Sequence, residues 1–217
     1  MVNLNLILPE IFISLSIMFL LILGVFKKDS SKLTFNLSLF IILITATITI
    51  NETFSVSRVT LFNQSIVIDY MSTLMKIITL IGGFLVLVIS SSYLKTFKLY
   101  NIEYPVLILS SILGMMVMIS SNDLIVFYMG LELQSLALYV LATYNRDQLK
   151  SSEAGLKYFV LSALSSWLLL YGCSLVYGFS GSTNFDVISN QLNSNESVLT
   201  FGIVFILVGL DFKISAC

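Results

Sequence analysis

The chain has 217 residues, of which 57% are hydrophobic and 11% are charged, and its formal net charge is −1. Soluble domains carry roughly 25% charged residues, so the composition excludes an ordinary soluble domain, and the near-zero charge gives no sign of a nucleic-acid partner. The chain has no histidine, its two cysteines (Cys173 and Cys217) are far apart, and no glycine-rich nucleotide motif occurs. These features exclude the usual spacings for a disulfide framework, a zinc or iron–sulfur site, or a nucleotide cradle.

Long apolar segments follow one another along the whole chain. A helix needs about 20 mostly apolar residues to cross a bilayer, and we identify six full spans and a seventh that is cut short. The predicted spans are 4–26, 33–50, 71–94, 104–120, 122–143 and 152–178, followed by the shorter 199–217. The pattern therefore predicts an all-α membrane protein, with a single membrane domain over residues 1–217 in contact with membrane lipids.

The connection between the second and third predicted spans lacks the continuous apolar composition of a membrane helix. In residues 53–69 (TFSVSRVTLFNQSIVID), polar side chains such as Ser55 and Arg58 alternate with apolar ones, and Asn63 and Gln64 can form a turn. We therefore predict a short β-hairpin on the outer face of the membrane.

Basic residues are divided unevenly between the two sides. Of the eleven Lys and Arg residues, seven lie in the loops after the first, third and fifth spans, whereas the opposite loops contain only Arg58. The positive-inside rule then places the N-terminus outside. Only six alanines occur beside many Ile, Phe, Asn and Tyr residues, a skew that fits AT-rich organelle genomes. We therefore expect the mitochondrial inner membrane, with the N-terminus on the intermembrane-space side, in preference to a bacterial inner membrane.

Glu132 lies near the middle of the fifth span. A charge at the bilayer centre costs about 2.5–3.5 kcal/mol, and such residues usually face the protein interior and mark ion pathways. At helical spacing, Tyr128, Ser135 and Tyr139 share the stripe of Glu132. We favour a functional role, and the alternative is a protonated glutamate that ties two helices together.

Three lysines also fall inside the spans. Lys213 is the deepest, about 20 Å along a helix from Thr200 at 1.5 Å per residue. Lys157 follows Glu153 by four residues, which suits either a surface ion pair or the start of a polar path. Lys76 lies within two turns of the outer surface, where we expect an edge ion pair or a side chain that extends to the interface.

Glu132, Lys157 and Lys213 together suggest a proton relay. Burial disfavours the charged form of a lysine, and a carboxylate nearby restores it. A lysine that moves towards and away from a glutamate therefore alternately holds and releases a proton. Such a relay needs no cofactor, metal or histidine.

Several segments resemble one known family. The segments LPEIFI, DLIVFYMGLELQSLALYVLA, SSEAGLKYFVLSALSSWLLLYGCSLVYGFSGSTNF and GLDFKISA resemble the antiporter-like subunits of the proton-translocating NADH:ubiquinone oxidoreductase (respiratory complex I), chain 2 among them. The family is shared with subunits of multi-component sodium/proton antiporters.

The resemblance implies a fourteen-helix fold of two inverted repeats, with Glu132, Lys157 and Lys213 at the family's glutamate and lysine positions. It implies a membrane-arm subunit that takes part in proton translocation and has no redox chemistry of its own. NADH, FMN, the iron–sulfur clusters and ubiquinone would then belong to other subunits. Other membrane-arm subunits are the expected partners.

Two departures from the family are visible. Asp211 stands where the family usually has an uncharged residue, and the sequence ends at Cys217, before the family's Pro-Phe-His. The C-terminal repeat is therefore absent. We expect either a naturally split chain with a second polypeptide that carries the missing half, or a sequence that stops at an exon edge. Two other functions stay open: a sodium/proton antiporter subunit, and a structural membrane-arm piece that does not conduct.

Overall fold

The structure is a computed structural model that describes residues 4–26, 31–53, 58–97, 99–191 and 197–215. Most of these residues are helical. After a 3₁₀ turn at Leu4–Ile7, the helices are α1 Leu8–Phe26, α2 Ser31–Thr53, α3 Tyr70–Thr96, α4 Glu103–Ser120, α5 Leu124–Ala142, α6 Leu149–Ser180, α7 Phe185–Gln191 and α8 Ser197–Ser215. Two strands, β1 Val59–Leu61 and β2 Ile66–Ile68, lie between α2 and α3.

The predicted membrane helices are confirmed. In the described part of the chain, α1 to α6 are long and apolar enough to cross a membrane, and they match the six predicted spans with ends shifted by a few residues. Helix α8 matches the seventh segment. Helix α7 was not predicted from the sequence, because its seven residues are too few to show a helical period. Lys27, Lys28 and Lys98, which contribute to the orientation prediction, lie outside the described residues.

Side-chain caps determine where two of the helices begin. The carboxylate of Asp69 accepts the backbone N–H of Ser72 at 2.7 Å, and the Ser72 hydroxyl accepts the N–H of Asp69 at 2.9 Å. This reciprocal capping box starts α3. Asp123 caps α5 in a similar way by accepting the N–H of Ile125 at 2.8 Å.

The predicted β-hairpin is also present. Strands β1 and β2 pair antiparallel, with Leu61 opposite Ile66. Phe62, Asn63 and Gln64 in the connecting loop have φ angles of 49°, 55° and 68°. Such left-handed conformations are uncommon without glycine, and here contacts outside the hairpin hold the loop. The side chains of Asn122 and Asn184 both donate to the Gln64 carbonyl, at 3.1 and 3.0 Å.

The membrane helices form two packed groups. In the first group, α1 and α3 each pack on both α2 and α4, which makes a four-helix bundle with its own apolar core. In the second group, α6 packs on both α5 and α8 around a smaller core. The groups meet where α4 packs on α5. There the helices approach so closely that a Cβ added to Gly130 would lie 2.9 Å from the Gly114 carbonyl oxygen.

The outward faces of these helices are strongly apolar. Large side chains such as Ile89 and Trp167 are 73% and 74% exposed. Exposed apolar surface of this extent on helices of spanning length is typical of a protein surrounded by lipid. The chain is therefore a multi-pass membrane protein.

Candidate functional site

Glu132 and Lys213 meet in the second helix group. Lys213 Nζ lies 2.5 Å from Glu132 Oε1, and the two side chains are 11% and 20% exposed. Glu132 is eight residues into α5, about 12 Å along the helix at 1.5 Å per residue, so the ion pair lies at membrane depth. The carboxylate predicted to accept a lysine proton therefore has one of the predicted lysines within hydrogen-bond distance.

A third polar group completes this contact. The Ser166 hydroxyl on α6 lies 2.5 Å from Glu132 Oε1, the same oxygen that contacts Lys213, and 2.9 Å from the Ser162 carbonyl. The hydroxyl has one hydrogen, and we assign it to the Glu132 carboxylate in preference to the Ser162 carbonyl, because hydrogen bonds to charged groups are shorter and stronger than neutral ones. The sequence indicated only a polar path that starts at Lys157, and the direct contact of Ser166 with Glu132 was not predicted from it.

Close packing of α6 on α8 places Lys213 at this depth. A Cβ added to Gly209 would lie 2.9 Å from the backbone nitrogen of Leu169, so only glycine fits there without a shift. One helical turn away, the Ser165 hydroxyl donates to the Gly209 carbonyl at 2.8 Å. Small residues and interhelical hydrogen bonds of this kind hold membrane helices together. They fix α8 in the position that brings Lys213 to Glu132.

The stripe on α5 contributes less than the sequence suggested. Ser135 donates to the backbone carbonyl of Glu132 at 3.1 Å and not to its carboxylate. The ring of Tyr139 packs edge-on against Tyr158 and Phe159. The polar partners of the Glu132 carboxylate therefore come from α6 and α8.

Lys157 lies apart from this contact. It pairs with Glu153 at 2.7 Å on the outside of α6, where the two side chains are 70% and 55% exposed. Lys157 precedes Ser166 by nine residues, about 13 Å along the helix. The structure thus brings Glu132 and Lys213 together and leaves Lys157 at the surface in an (i, i+4) pair.

A cavity of about 410 Å³ opens beside Lys213. Helices α4, α5, α6 and α8 contribute its walls. Its polar lining consists of Gln134, Ser135, Tyr158, Ser162 and Lys213. A cavity needs polar partners as well as volume to hold ordered water, and this one offers both next to the lysine.

Lys76 is not where the sequence suggested. We expected an edge ion pair or a side chain that extends to the membrane interface, but Lys76 is 0% exposed and contacts Glu10 of α1. The prediction was wrong because it considered α3 alone, whereas α2 and α4 pack on both sides of α3 and enclose the side chain.

Known proteins with similar sequences and folds are numerous. A family model described as NADH:quinone oxidoreductase/Mrp antiporter, TM, matches residues 121–217. The NADH-quinone oxidoreductase subunit N of Pelagibacter ubique is 71% identical over 214 residues, which are 99% of this chain and 45% of that protein. The subunit N of Bartonella bacilliformis is 53% identical over 216 residues, 99% of this chain and 44% of that protein.

The fold of this chain also occurs in a solved structure. A chain of respiratory complex I from Thermus thermophilus, solved with bound aureothin, aligns with a TM-score of 0.78 over 94% of this chain and 43% of its own length. At 24% identity this similarity shows a shared fold. The present chain spans a little under half the length of the curated relatives it matches.

The residues of the contact all fall inside the matched region. Glu132, Ser166 and Lys213 lie within 121–217, and the similarity to the curated relatives extends over nearly the whole chain. Over residues 121–217 this chain is therefore similar to the NADH:quinone oxidoreductase/Mrp antiporter transmembrane family.

Proposed function

We propose that the chain is a membrane-arm subunit of a proton-translocating NADH:quinone oxidoreductase, and that Lys213 takes up and releases a proton during translocation as it approaches and leaves the Glu132 carboxylate. The observation that carries this proposal is the contact of Lys213 Nζ with Glu132 Oε1, 2.5 Å apart and largely buried between membrane helices. The relatives named as subunit N of that enzyme support the assignment, although they are about twice as long as this chain.

The contact can act as a proton switch. An adjacent carboxylate stabilises the ammonium form of a lysine, and an apolar environment destabilises it once the carboxylate is gone. When Lys213 moves away from Glu132, the lysine becomes a proton donor, and Ser166 remains as a hydrogen-bond partner for the carboxylate. The return of Lys213, after it has gained a new proton, restores the ion pair.

The cavity beside Lys213 gives the released proton somewhere to go. Its polar lining, which includes Ser135 and Ser162, can hold water that connects the lysine to neighbouring groups. Lys157 is a third relay residue in the proposal, nearer the basic end of α6. Its part is the weaker one, because it is exposed and already paired with Glu153.

The redox chemistry of the enzyme is assigned to other subunits. NADH, FMN, the iron–sulfur clusters and the quinone would bind there, and this chain would couple to them through its membrane-arm neighbours. The proposal gives this chain a proton-transfer role and no electron-transfer role.

We infer that the chain lies in a bacterial membrane. The relatives at 71% and 53% identity come from bacteria, which favours a bacterial inner membrane over the mitochondrial one expected from composition. We retain the orientation given by the basic loops, with the N-terminus on the outer side.

A further part of the proposal rests on the length of the relatives, which are about twice as long as this chain. We propose that helices matching their second half pack beside these residues, either in a second polypeptide or in one continuous chain. Mass spectrometry of the intact purified complex tests this. A species with the mass of these 217 residues, together with a second fragment, supports a split chain, and a species of about twice that length supports one continuous chain.

A sodium/proton antiporter subunit is the second candidate, because the matching family description covers both kinds of complex. The Glu132–Lys213 contact serves either function. Sodium dependence separates them: an antiporter exchanges protons for sodium without NADH, whereas the proposed subunit moves protons only when NADH is oxidised.

Glu132→Gln in the complete enzyme is the direct test. Glutamine can still accept the Ser166 hydrogen bond but has no negative charge to stabilise the Lys213 ammonium, so we expect normal assembly and a several-fold loss of NADH-driven acidification in sealed inverted vesicles. Glu103→Gln is the matched control, since Glu103 is 63% exposed and pairs with Arg146 at 3.6 Å. Unchanged proton translocation in Glu132→Gln vesicles with normal subunit content would instead assign this chain a structural role.

A further inference from the structure

A second ion pair lies inside the four-helix bundle formed by α1 to α4. Lys76 Nζ on α3 lies 2.5 Å from Oε1 of Glu10, a residue in the first turn of α1. The lysine side chain is 0% exposed and the glutamate side chain is 11% exposed. Because α1 and α3 each pack on α2 and α4, the pair reaches across the interior of the bundle.

This pair is incompletely hydrogen-bonded. Glu10 Oε2 and Lys76 Nζ are both buried, and neither forms a hydrogen bond with any described residue. The 2.5 Å contact is therefore an ion pair outside hydrogen-bond geometry. A buried ion pair stabilises a fold only when good geometry and further hydrogen bonds offset the desolvation of both charges. The pair is therefore poorly suited to stabilise the fold. Glu10 Oε2 accepts no hydrogen bond from the described residues and can bind a proton.

We propose that Glu10 and Lys76 form a second proton-binding site, which takes up and releases one proton at Glu10 Oε2. In the ion pair Glu10 is a carboxylate and Lys76 an ammonium. Addition of one proton to Oε2 gives the carboxylic acid, and its loss from the same oxygen restores the carboxylate. The route to the site is assigned to the Glu10 side of the pair, because the Glu10 side chain is 11% exposed and Lys76 is fully enclosed.

Buried hydroxyl groups in the half of the bundle nearest the hairpin suit such a site. Thr45 and Thr49 on α2 are 0% exposed, and Thr73 on α3 is 1% exposed. Each donates its hydrogen to a carbonyl one turn earlier in its own helix, so the lone pairs of its oxygen stay available. Protonation of Glu10 leaves the Lys76 ammonium without its counter-charge, and a polar surrounding is less unfavourable to that charge than a purely apolar one.

Few other charged groups share this bundle. The remaining charged residues of α2, α3 and α4 are Lys32, Glu52, Lys95 and Glu103. Lys32, Lys95 and Glu103 lie at the opposite end from the hairpin. Glu52 in the last turn of α2 and Asp69, which caps α3, are therefore the other acidic residues near the proposed site, and their contributions have to be separated from that of Glu10.

Infrared difference spectroscopy on the complete membrane complex tests the proposal. Spectra recorded at low and high pH contain the carbonyl band of each carboxyl group that gains a proton in between. We expect the wild-type complex to show a buried carboxyl band that disappears in Glu10→Gln and persists in Glu52→Gln, Asp69→Asn and Glu103→Gln. Glu103 is the closest control, because it also lies in the first turn of a helix and is ion-paired, but on the surface.

A double variant, Glu10→Gln with Lys76→Met, keeps the test informative if the single variants assemble poorly. It removes both charges and leaves no unpaired ion in the bundle, so we expect normal assembly together with loss of the band. A band that is unchanged in either variant, or no buried band in the wild type, overturns the proposal. These results are independent of the Glu132 experiment. If Glu132→Gln loses NADH-driven translocation and Glu10→Gln leaves the carboxyl band unchanged, only the second site is ruled out. If Glu10→Gln removes the band and Glu132→Gln translocates protons normally, only the proposed function is ruled out.

Discussion

Lys213 Nζ lies 2.5 Å from Glu132 Oε1, although the two residues are 81 positions apart in the chain. They meet because α5 and α8 both pack on α6, and each contributes one charge to the same buried point. The contact between α6 and α8 therefore determines whether each of the two charges is compensated.

Lys213→Met is expected to reduce proton translocation more than Lys157→Met. Removal of one partner of a buried ion pair costs about 3–5 kcal/mol, whereas an exposed pair such as Glu153–Lys157 contributes about 0–1 kcal/mol. Each variant is measured as NADH-driven acidification per NADH oxidised, with subunit content as the assembly control. Greater damage from Lys157→Met would contradict the ranking by depth.

Ser166→Ala is expected to slow proton translocation while assembly stays normal. The hydroxyl donates to the carboxylate that holds the lysine, and a hydrogen bond to a charged group contributes about 1.5–3 kcal/mol. Ser174→Ala is the control, because Ser174 on the same helix donates only to the Tyr171 carbonyl and its bond is exposed. A several-fold fall in coupled acidification for Ser166→Ala alone is the expected result, and equal rates in the two variants would show that Ser166 does not position Glu132.

Gly209→Leu is expected to weaken the packing of α8 on α6. A Cβ at position 209 would already lie 2.9 Å from the Leu169 backbone, and overpacking of a core costs about 1–3 kcal/mol. Gly178→Leu on α6 is the matched control, since a Cβ at that position meets nothing within 4 Å. The thermal midpoint of the detergent-solubilised complex should fall for Gly209→Leu, and a fall of the same size for Gly178→Leu would argue against close helix approach as the cause.

Asn122→Ala is expected to loosen the hairpin from the membrane helices. The Asn122 side chain donates to the Gln64 carbonyl at 3.1 Å and lies 3.0 Å from Asp186 Oδ2, and its removal loses hydrogen bonds that typically contribute about 0.5–1.5 kcal/mol each. Asn101→Ala, at an exposed position, serves as the control. Faster amide hydrogen exchange over residues 59–68 is the expected outcome. Unchanged exchange would mean that the Asn184 side chain and the backbone bond from Asn122 to the Ser65 carbonyl hold the loop without the Asn122 side chain.

Much of this fold can be predicted from the sequence, because helix length and apolar composition are local properties. The charges of Glu132 and Lys213 stand out for the same reason, since Glu132 is the one charged residue of α5 and Lys213 follows a long apolar run in α8. The pairing of Glu10 with Lys76 could not be predicted in this way. Glu10 fits the first turn of any helix and Lys76 lies close to the end of its span, so only the packing of four helices shows that both are enclosed.

Ser166 illustrates a second limit. Serine hydroxyls within helices usually bond to a carbonyl one turn earlier, as Ser166 also can with Ser162. No local pattern distinguishes a serine that does only this from one that reaches a carboxylate on another helix. That distinction depends on how α5 is placed against α6.

The bond from Ser165 to the Gly209 carbonyl has a consequence for how α8 can bend. In an α-helix the carbonyl of residue 209 also accepts the N–H of residue 213, so the Gly209 oxygen has two donors, one from its own helix and one from α6. If the bond from the N–H of residue 213 to the Gly209 carbonyl opens, the carbonyl oxygen still accepts the hydrogen bond from Ser165. The usual penalty for unwinding a helix inside a membrane is thus reduced at the turn that carries Lys213. Opening of this turn would let the lysine move without displacement of the whole helix.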